Sequence, residues 1–295
     1  MADYVLTTGS TVDLTLSIMQ ARNIPFISYR YELDNVEYTD DMWETEEPHD
    51  FYQAMTDGAM THTSQINMAT YAAFWEPFLQ EGKDIIHLEL SSGITGGVNS
   101  ARLASESLLA DYPDRRIVIV DSLGASGGFG LLLTAMADRR DHGMSLDELQ
   151  TWVEENKLHL HHWFFSTDIS FYIRGGRIGK TAGFIGKLLN ICPLMNMDNE
   201  GRLIPREKIR TKKKVIREIV ARMEEHAENG SCYNGKCYIT HSDCIEDAKE
   251  VAKLVEQTFP DLDGDVQITN IGPTIGAHTG PGTVALFFWG DLRTE

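Results

Sequence analysis

Short apolar segments alternate with amphipathic segments along the first half of the chain, and this alternation predicts repeated strand–loop–helix units. Residues 4–6, 84–90 and 117–120 are apolar runs typical of buried strands, and residues 24–31 are expected to form a further strand. A loop rich in glycine and serine follows each of the runs at 84–90 and 117–120, and a helical pattern follows each loop. Such units are typical of a parallel sheet with helices on its faces.

The second half has a different order of elements. An amphipathic helix at 145–159 precedes a predicted strand at 161–165. Beyond it the pattern predicts helices at 212–228 and 243–259 and strands at 236–240, 266–270 and 283–289. We therefore expect an α/β protein with two domains. Residues 1–158 would form an α/β domain with a parallel sheet and flanking helices, and residues 159–295 an α/β domain with a mixed sheet.

Charge and apolar content exclude several classes of function. The 295 residues include 26 Lys and Arg against 44 Asp and Glu, which gives a net charge of −18. Because phosphate neutralisation needs a basic face, a nucleic-acid partner is not expected, and an anionic membrane surface would repel the chain. No apolar run approaches the eighteen residues of a membrane span, so an integral membrane protein is not expected. The first residues lack the pattern of a secretory signal, and the four cysteines lack close pairs; both observations predict a cytoplasmic protein with reduced thiols.

Two local patterns suggest chemistry that we weigh as alternatives. Residues 124–128 match Gly-x-Ser-x-Gly, the signature of serine esterases, with Ser126 as nucleophile and His278 as a possible base. The predicted strand ends near residue 120, however, and a nucleophile elbow requires the serine directly after the strand. His159, His161 and His162 are adjacent, but neighbouring strand residues point to opposite faces, so we expect no metal site there.

Polar loops carry the remaining candidate chemistry. They lie at residues 61–65, 91–97, 174–178 and 276–282, and those that carry hydroxyl groups are expected to precede helices. A helix N-terminus offers free N–H donors and a partial positive charge, which suit a carboxylate or a phosphate. The alternative is that Ser and Thr in these loops only cap the helices.

Seven segments in a fixed order resemble the DegV family of bacterial fatty-acid-binding proteins. They lie at residues 63–65, 90–96, 121–122, 175–178, 188–193, 209–213 and 271–282, and so span nearly the whole chain. The resemblance implies a two-domain α/β fold with one long-chain fatty acid buried between the domains. It also implies that the carboxylate is bound by Thr63 and by Thr95, which replaces the usual serine.

The resemblance further implies secondary head-group residues, for which the candidates are Ser92, Arg177, Arg210 and His278. In some family members such residues support phosphorylation of the bound acid by a separate kinase subunit. The sequence departs from the family pattern at residues 9–11, Gly-Ser-Thr in place of Asp-Ser-Thr, and at residues 191–193, Ile-Cys-Pro in place of Ile-Lys-Pro. The second change removes a positive charge.

The function that follows is a non-catalytic carrier of a palmitate-like fatty acid in lipid transport or fatty acid metabolism. It would present the acid to a fatty acid kinase subunit and would need no cofactor or metal. The alternatives are an esterase and a lipid-sensing regulatory module. Candidates for the walls of the acyl tunnel are Phe184, Ile185, Leu188, Leu189, Leu194 and Met195.

Overall fold

The computed structural model describes residues 4–178 and 191–294. The strands in these ranges are β1 (Tyr4–Gly9), β2 (Phe26–Ile27), β3 (Arg30–Leu33), β4 (Val36–Thr39), β5 (Thr61–Ser64), β6 (Asp84–Glu89), β7 (Ile117–Asp121), β8 (Leu160–Ser166), β9 (Ile191–Met197), β10 (Leu203–Arg210), β11 (Tyr238–His241), β12 (Gln267–Asn270) and β13 (Thr283–Trp289). The α-helices are α1 (Leu16–Ala21), α2 (Pro48–Thr56), α3 (Met68–Gln80), α4 (Gly97–Asp111), α5 (Ser126–Asp141), α6 (Leu146–Asn156), α7 (Ser170–Arg174), α8 (Lys212–His226), α9 (Ile245–Thr258) and α10 (Pro273–Thr279). Short 3-10 turns occupy Ser10–Val12, Lys157–His159 and Gly230–Cys232.

A parallel sheet with strand order β2-β1-β6-β7 forms the first layer, as the strand–loop–helix pattern predicts. The expected strand at 24–31 was wrong, because it is divided between β2 of this sheet and β3 of another. The division lies at Tyr29, whose backbone N–H donates to the Ser10 hydroxyl and whose carbonyl accepts from Asp40 N–H. These bonds to loops replace the ladder bonds that a continuous strand would make.

An antiparallel sheet with order β4-β3-β5 was not predicted. Its strand β5 covers residues 61–64, which the sequence pattern assigned to a loop. In this strand Thr63 pairs with Tyr31 of β3. The segment is polar throughout, so it lacks the alternation of apolar residues by which a strand is identified from sequence. Helix α10 packs on β5 and β3. Residues 276–279, also expected to be a loop, belong to this helix.

The third sheet is mixed, with order β10-β9-β8-β13-β11-β12, and only β11 and β12 pair in parallel within it. Its two faces have different partners. His162 and Phe287 pair across β8 and β13 and face the parallel-sheet side, whereas Trp163 and Leu286 pair on the opposite face, in a separate apolar core. Helices α8 and α9 supply most of the rest of that core. The period of two along each strand separates the faces.

Helix α5 lies against β8, β11 and β13 of the mixed sheet and is buried along most of its length. The glycines of the Gly-x-Ser-x-Gly match allow this close packing. A Cβ atom at Gly128 would lie 2.3 Å from Nε2 of His162, and one at Gly127 would lie 2.6 Å from Cγ2 of Thr240. The motif at residues 124–128 is thus accounted for by helix–sheet packing.

The protein is a mixed α/β fold with a parallel and a mixed sheet, as expected from the sequence. The parallel sheet ends at Asp121 and the mixed sheet begins at Leu160. This arrangement supports our proposal of domains 1–158 and 159–295. One apolar cluster nevertheless joins Leu88 of the first half to Phe164 and Phe287 of the second. No helix in the described ranges is both long and apolar enough to cross a membrane.

Candidate functional site

A cavity of about 350 Å³ lies between the parallel sheet and the mixed sheet. Ligand pockets in proteins commonly have about 300–1,000 Å³. Apolar side chains form most of the described walls: Tyr29, Leu90, Ile94, Ala125, Phe164, Tyr172, Met197, Leu203, Ile271, Ile275, Ala285 and Phe287. Its polar lining includes a group of side chains brought by β5, the loop before α4, the turn after α7, and α10: Thr63, Gln65, Thr95, Arg177 and His278.

Thr95 reaches the cavity from the loop that follows β6. Ligands of parallel sheets bind beyond the carboxyl ends of the strands, where the sequence predicted this site. Gly96, not Thr95, is the N-cap of α4, and no side chain makes the capping bond. The interpretation of Thr95 as a helix cap is therefore wrong. No group in the described ranges hydrogen-bonds the Thr95 hydroxyl, which lies beside the positive end of the α4 dipole.

Thr63 approaches from β5, and Gln65 fixes this segment against the Thr95 loop. The Gln65 side chain packs on Gly96, where a Cβ atom would lie 2.7 Å from Oε1. Its Nε2 donates to the Ser100 hydroxyl at 2.6 Å, within α4. These contacts hold the two threonine-bearing segments together at one place on the cavity wall.

A hydrogen-bond chain then determines which way the Thr63 hydroxyl points. Nη1 of Arg177 lies 3.4 Å from Nδ1 of His278, and Nε2 of His278 lies 2.7 Å from Oγ1 of Thr63. Arginine can only donate, so Nδ1 accepts and the neutral ring carries its hydrogen on Nε2. Nε2–H then donates to Thr63, which leaves the threonine's own hydrogen available for an acceptor in the cavity.

Electrostatics keep His278 in that neutral form. Burial, together with the Arg177 guanidinium and the neighbouring His62, lowers the pKa of His278 to about 3. Burial also lowers the pKa of Arg177 from its ordinary value. Arginine nevertheless remains charged at neutral pH. The site thus combines a half-buried cation with hydroxyl donors, an arrangement that suits a carboxylate.

Comparison with known proteins agrees with the order of motifs in the sequence. The family model described as "Uncharacterised protein, DegV family" matches residues 4–291. A DegV domain-containing protein of Clostridium perfringens is 36% identical over 293 residues, which cover 99% of each chain.

The chain belongs to the DegV family. Among solved structures, a DegV family protein from Thermus thermophilus described as binding fatty acid is 25% identical, with a TM-score of 0.86 over 98% of this chain and 99% of that one. A DegV lipid-binding protein from Thermotoga maritima is also 25% identical, with a TM-score of 0.82 over the full length of both chains. These two relatives have the same overall fold as this DegV chain.

The fold brings four of the six residues named by the DegV resemblance to the cavity: Thr63, Thr95, Arg177 and His278. Ser92 and Arg210 are exposed and are not among the described lining residues. The backbone N–H of Ser92 instead donates to Asp121, and Arg210 ends β10 opposite Ile191. A head-group role for these two residues stays a prediction without support from their placement.

The residues predicted to line the acyl tunnel are not found among the described residues that line the cavity. Phe184, Ile185, Leu188 and Leu189 lie outside the described residues. Leu194 and Met195 are fully buried in apolar clusters and are not among the described lining residues. The walls that sequence reasoning missed include residues of β8, β9 and β13, for example Phe164, Met197 and Phe287. The alternation of these strands identifies one face, but not that a cavity lies against it.

Ser126 also lines the cavity, but its partners are not those of an esterase nucleophile. Its Oγ lies 2.5 Å from Oδ2 of Asp13 and 2.9 Å from Oγ1 of Thr240. Both ring nitrogens of His278, the candidate base, are bonded elsewhere, to Thr63 and Arg177. Ser126 follows the end of β7 by several residues, whereas the serine of a nucleophile elbow comes directly after the strand.

Asp13, the hydrogen-bond partner of Ser126, is a buried carboxyl group with a raised pKa. Its Oδ1 accepts from Gly272 N–H at 2.9 Å, and it is almost completely buried. Burial, with a contribution from the nearby buried Asp40, raises the pKa of Asp13 to about 8. At neutral pH the carboxyl group is therefore mostly protonated and adds little negative charge beside the cavity.

Proposed function

We propose that the chain binds one long-chain fatty acid in the cavity between its sheets. The carboxylate would accept hydrogen bonds from Thr63 and Thr95, and the acyl chain would lie against the apolar walls. The observation that carries this proposal is the placement of two free hydroxyl donors and Arg177 beside one another on an otherwise mainly apolar cavity. The Thermus and Thermotoga relatives, which are described as binding fatty acid and lipid respectively, support it.

Burial of the acyl chain supplies the main driving force for binding a ligand such as palmitate. About fifteen CH₂ and CH₃ groups at roughly 0.8 kcal/mol each give a gross gain of about 12 kcal/mol. Ordering the ligand and immobilising both partners reduce this gain by several kcal/mol. The tail therefore supplies most of the affinity, and the hydroxyl groups fix the orientation of the head.

The direct test is to identify what the native protein carries. Organic extraction of protein prepared without detergent, followed by mass spectrometry, should yield about one fatty acid per chain. Delipidated protein should bind palmitate in calorimetry with the same stoichiometry. If extraction yields no acyl chain and added palmitate does not bind, the proposal is wrong.

Presentation of the bound acid to a fatty acid kinase subunit is the finer part of this proposal. A second depression, lined by Met60, His62 and Arg174, shares Thr63, Arg177 and His278 with the cavity. It would leave a route from the surface to the carboxylate. Here Arg177 would stabilise the negative charge that develops during phosphoryl transfer.

Replacing Arg177 with alanine tests that finer part. We expect palmitate affinity to change by less than about threefold, because in this proposal the carboxylate accepts its hydrogen bonds from Thr63 and Thr95 and not from Arg177. Acyl-phosphate formation with a DegV-compatible kinase subunit should fall by about a hundredfold or more, as expected when a preorganised charge donor is lost. Equal rates in both proteins would reject this role while leaving fatty acid binding intact.

The alternative is a catalytic function, that of an esterase, for which a different experimental result is expected. Hydrolysis of a p-nitrophenyl ester that disappears in Ser126→Ala would support it. A lipid-sensing module would instead bind the acid without transferring it, and would change a protein partner's affinity when loaded. The bonds of Ser126 to Asp13 and Thr240 favour the binding function over the esterase.

A further inference from the structure

A second group of polar side chains lies on the face of the mixed sheet that points away from the cavity. His161 comes from β8, His226 from the last turn of α8, and Asp291 from the segment after β13. Nε2 of His161 lies 2.9 Å from Oδ1 of Asp291, and Nδ1 of His226 lies 3.3 Å from the same oxygen. One ligand atom from each residue lies within 4.8 Å of the others.

We propose that His161, His226 and Asp291 form a binding site for one divalent transition-metal ion, with Zn²⁺ as the best match. Two imidazole nitrogens and one carboxylate oxygen are a common zinc ligand set. Metal–ligand bonds of about 2.0–2.2 Å in tetrahedral geometry place ligand atoms about 3.3–3.5 Å apart. The nitrogen–oxygen distances to Asp291 are therefore already close to those of a metal site.

The sequence did not predict this site, because its members are far apart in the chain. The local run of His159, His161 and His162 was expected to hold no metal, and its side chains do point to different faces. His161 stacks on Phe288, away from the cavity, and there meets two residues from other elements. The run does not converge on one place by itself, and the proposed site uses only His161 from it.

Backbone contacts fix two of the ligand-bearing segments against each other. Asp291 N–H donates to the carbonyl of His226 at 3.0 Å, and Gly290 N–H donates to the carbonyl of His159 at 2.7 Å. A Cβ atom at Gly290 would lie 2.2 Å from the His226 carbonyl oxygen, so a residue without a side chain is needed for this approach. Because the frame is formed without metal, little ordering is required on binding.

The orientations of the two imidazole rings show which side chain would have to rotate on metal binding. The His161 and His226 rings are nearly parallel, with 18° between their planes and 5.0 Å between their centroids. His161 is buried between His226 and Phe288, and its Nε2 lies 3.0 Å from the backbone carbonyl oxygen of Asp291, a contact that the metal would replace. His226 is only partly buried and would turn so that its nitrogen lone pair meets the metal. Asp291 is 62% exposed, which leaves a fourth position for water.

The surrounding charges are compatible with a bound cation. Glu225 has a carboxylate oxygen 3.9 Å from Nε2 of His226. Arg222, the nearby cation beside Trp163, forms ion pairs with both Glu207 and Glu225. Arg293 opposes a cation here, because it is 4% exposed, acts electrostatically on His161 and forms no ion pair in the described ranges. The net charge of −18 adds a general attraction for cations.

The test uses the untagged full-length chain with Cys232→Ser, because Cys232 is an exposed thiol that could bind zinc by itself. Zinc binding is measured by calorimetry, and Co²⁺ is used as a spectroscopic probe of ligand geometry. We expect one Zn²⁺ per chain, a tetrahedral Co²⁺ spectrum, and a higher melting temperature with zinc. His226→Gln and Asp291→Asn should each weaken zinc binding about tenfold or more.

A matched control is available in the same chain. His49 and Asp243 form an exposed pair at 2.9 Å, so His49→Gln removes a surface imidazole next to a carboxylate outside the proposed site. This variant should bind zinc like the parent. Unchanged zinc affinity in either site variant, an equal loss in His49→Gln, or no saturable binding up to about 1 mM zinc would overturn the proposal.

Discussion

Replacing Thr63 with valine removes one hydroxyl group from the proposed carboxylate site and almost no volume. In the hydrogen-bond chain, Thr63 accepts from Nε2–H of His278 and has its own hydrogen free for the ligand. Thr63→Val therefore removes the donor that would meet the carboxylate. A hydrogen bond to a charged group contributes about 1.5–3 kcal/mol, so palmitate should bind about 10- to 150-fold more weakly.

The same substitution has a separate effect on the unliganded protein. His278 Nε2–H loses its acceptor in a mostly buried position, and a buried unpaired donor costs about 1–3 kcal/mol. The free energy of unfolding should fall by an amount in this range. Thr63→Ser is the matched control, because it keeps the hydroxyl group and should retain both ligand affinity and stability to within about 1 kcal/mol.

The assay compares two ligands that differ only in the head group. Calorimetry or displacement of a fluorescent fatty acid would give the affinities of palmitate and hexadecanol for both variants. Thr63→Val should weaken palmitate binding far more than hexadecanol binding, because the alcohol carries no charge. If Thr63→Val binds palmitate within threefold of the parent, or loses the same factor for both ligands, the assignment of Thr63 as carboxylate donor is refuted.

Three further outcomes follow from the cavity and the acid beside it. Thr95→Val should weaken palmitate binding by about 1–3 kcal/mol in calorimetry, whereas Ser126→Ala should leave it unchanged; equal losses would indicate general destabilisation. Ala285→Leu adds three carbons on the cavity wall and should displace two to three acyl methylenes, which would weaken palmitate binding about 15- to 60-fold in calorimetry; an unchanged affinity would contradict this wall position. Asp13 keeps its proton in the fold up to about pH 8, while the unfolded chain loses it near pH 3.8, so stability falls as pH rises between these values. Asp13→Asn keeps a residue type that tolerates the positive φ of this position. In urea unfolding between pH 5 and 7, the free energy of unfolding of the parent should fall by about 1.4 kcal/mol per pH unit relative to that of the variant. If the free energies of both proteins change in parallel with pH, Asp13 is ionised in the fold.

The Gly-x-Ser-x-Gly match illustrates why a short motif is ambiguous without its surroundings. The sequence placed Ser126 after a strand and before a helix, and both elements are present. The glycines of the motif serve the packing of α5 on His162 and Thr240, which are distant in the chain. The close packing of a helix on a sheet requires glycines at the same positions as a nucleophile elbow, so both give the same sequence motif.

Local periodicity determined much of the architecture. The strands at 84–90 and 283–289 and the helix at 212–228 are found within a few residues of their predicted bounds, because their apolar faces repeat with the strand or helix period. Position after a strand also predicted that Thr95 lies beyond the carboxyl edge of the parallel sheet, where it lines the cavity. The ordered motifs determined membership of the DegV family.

Only the tertiary structure decided how the site is composed. The contact between Thr63 and His278 joins residues 215 positions apart, and the bond between Asp13 and Ser126 joins residues 113 positions apart. Neither contact leaves a periodic signal in the sequence, because each depends on the packing of elements that are separate in the chain. The same reason hides the grouping of His161 with Asp291, since a strand predicts which face a histidine occupies but not which side chains meet it there.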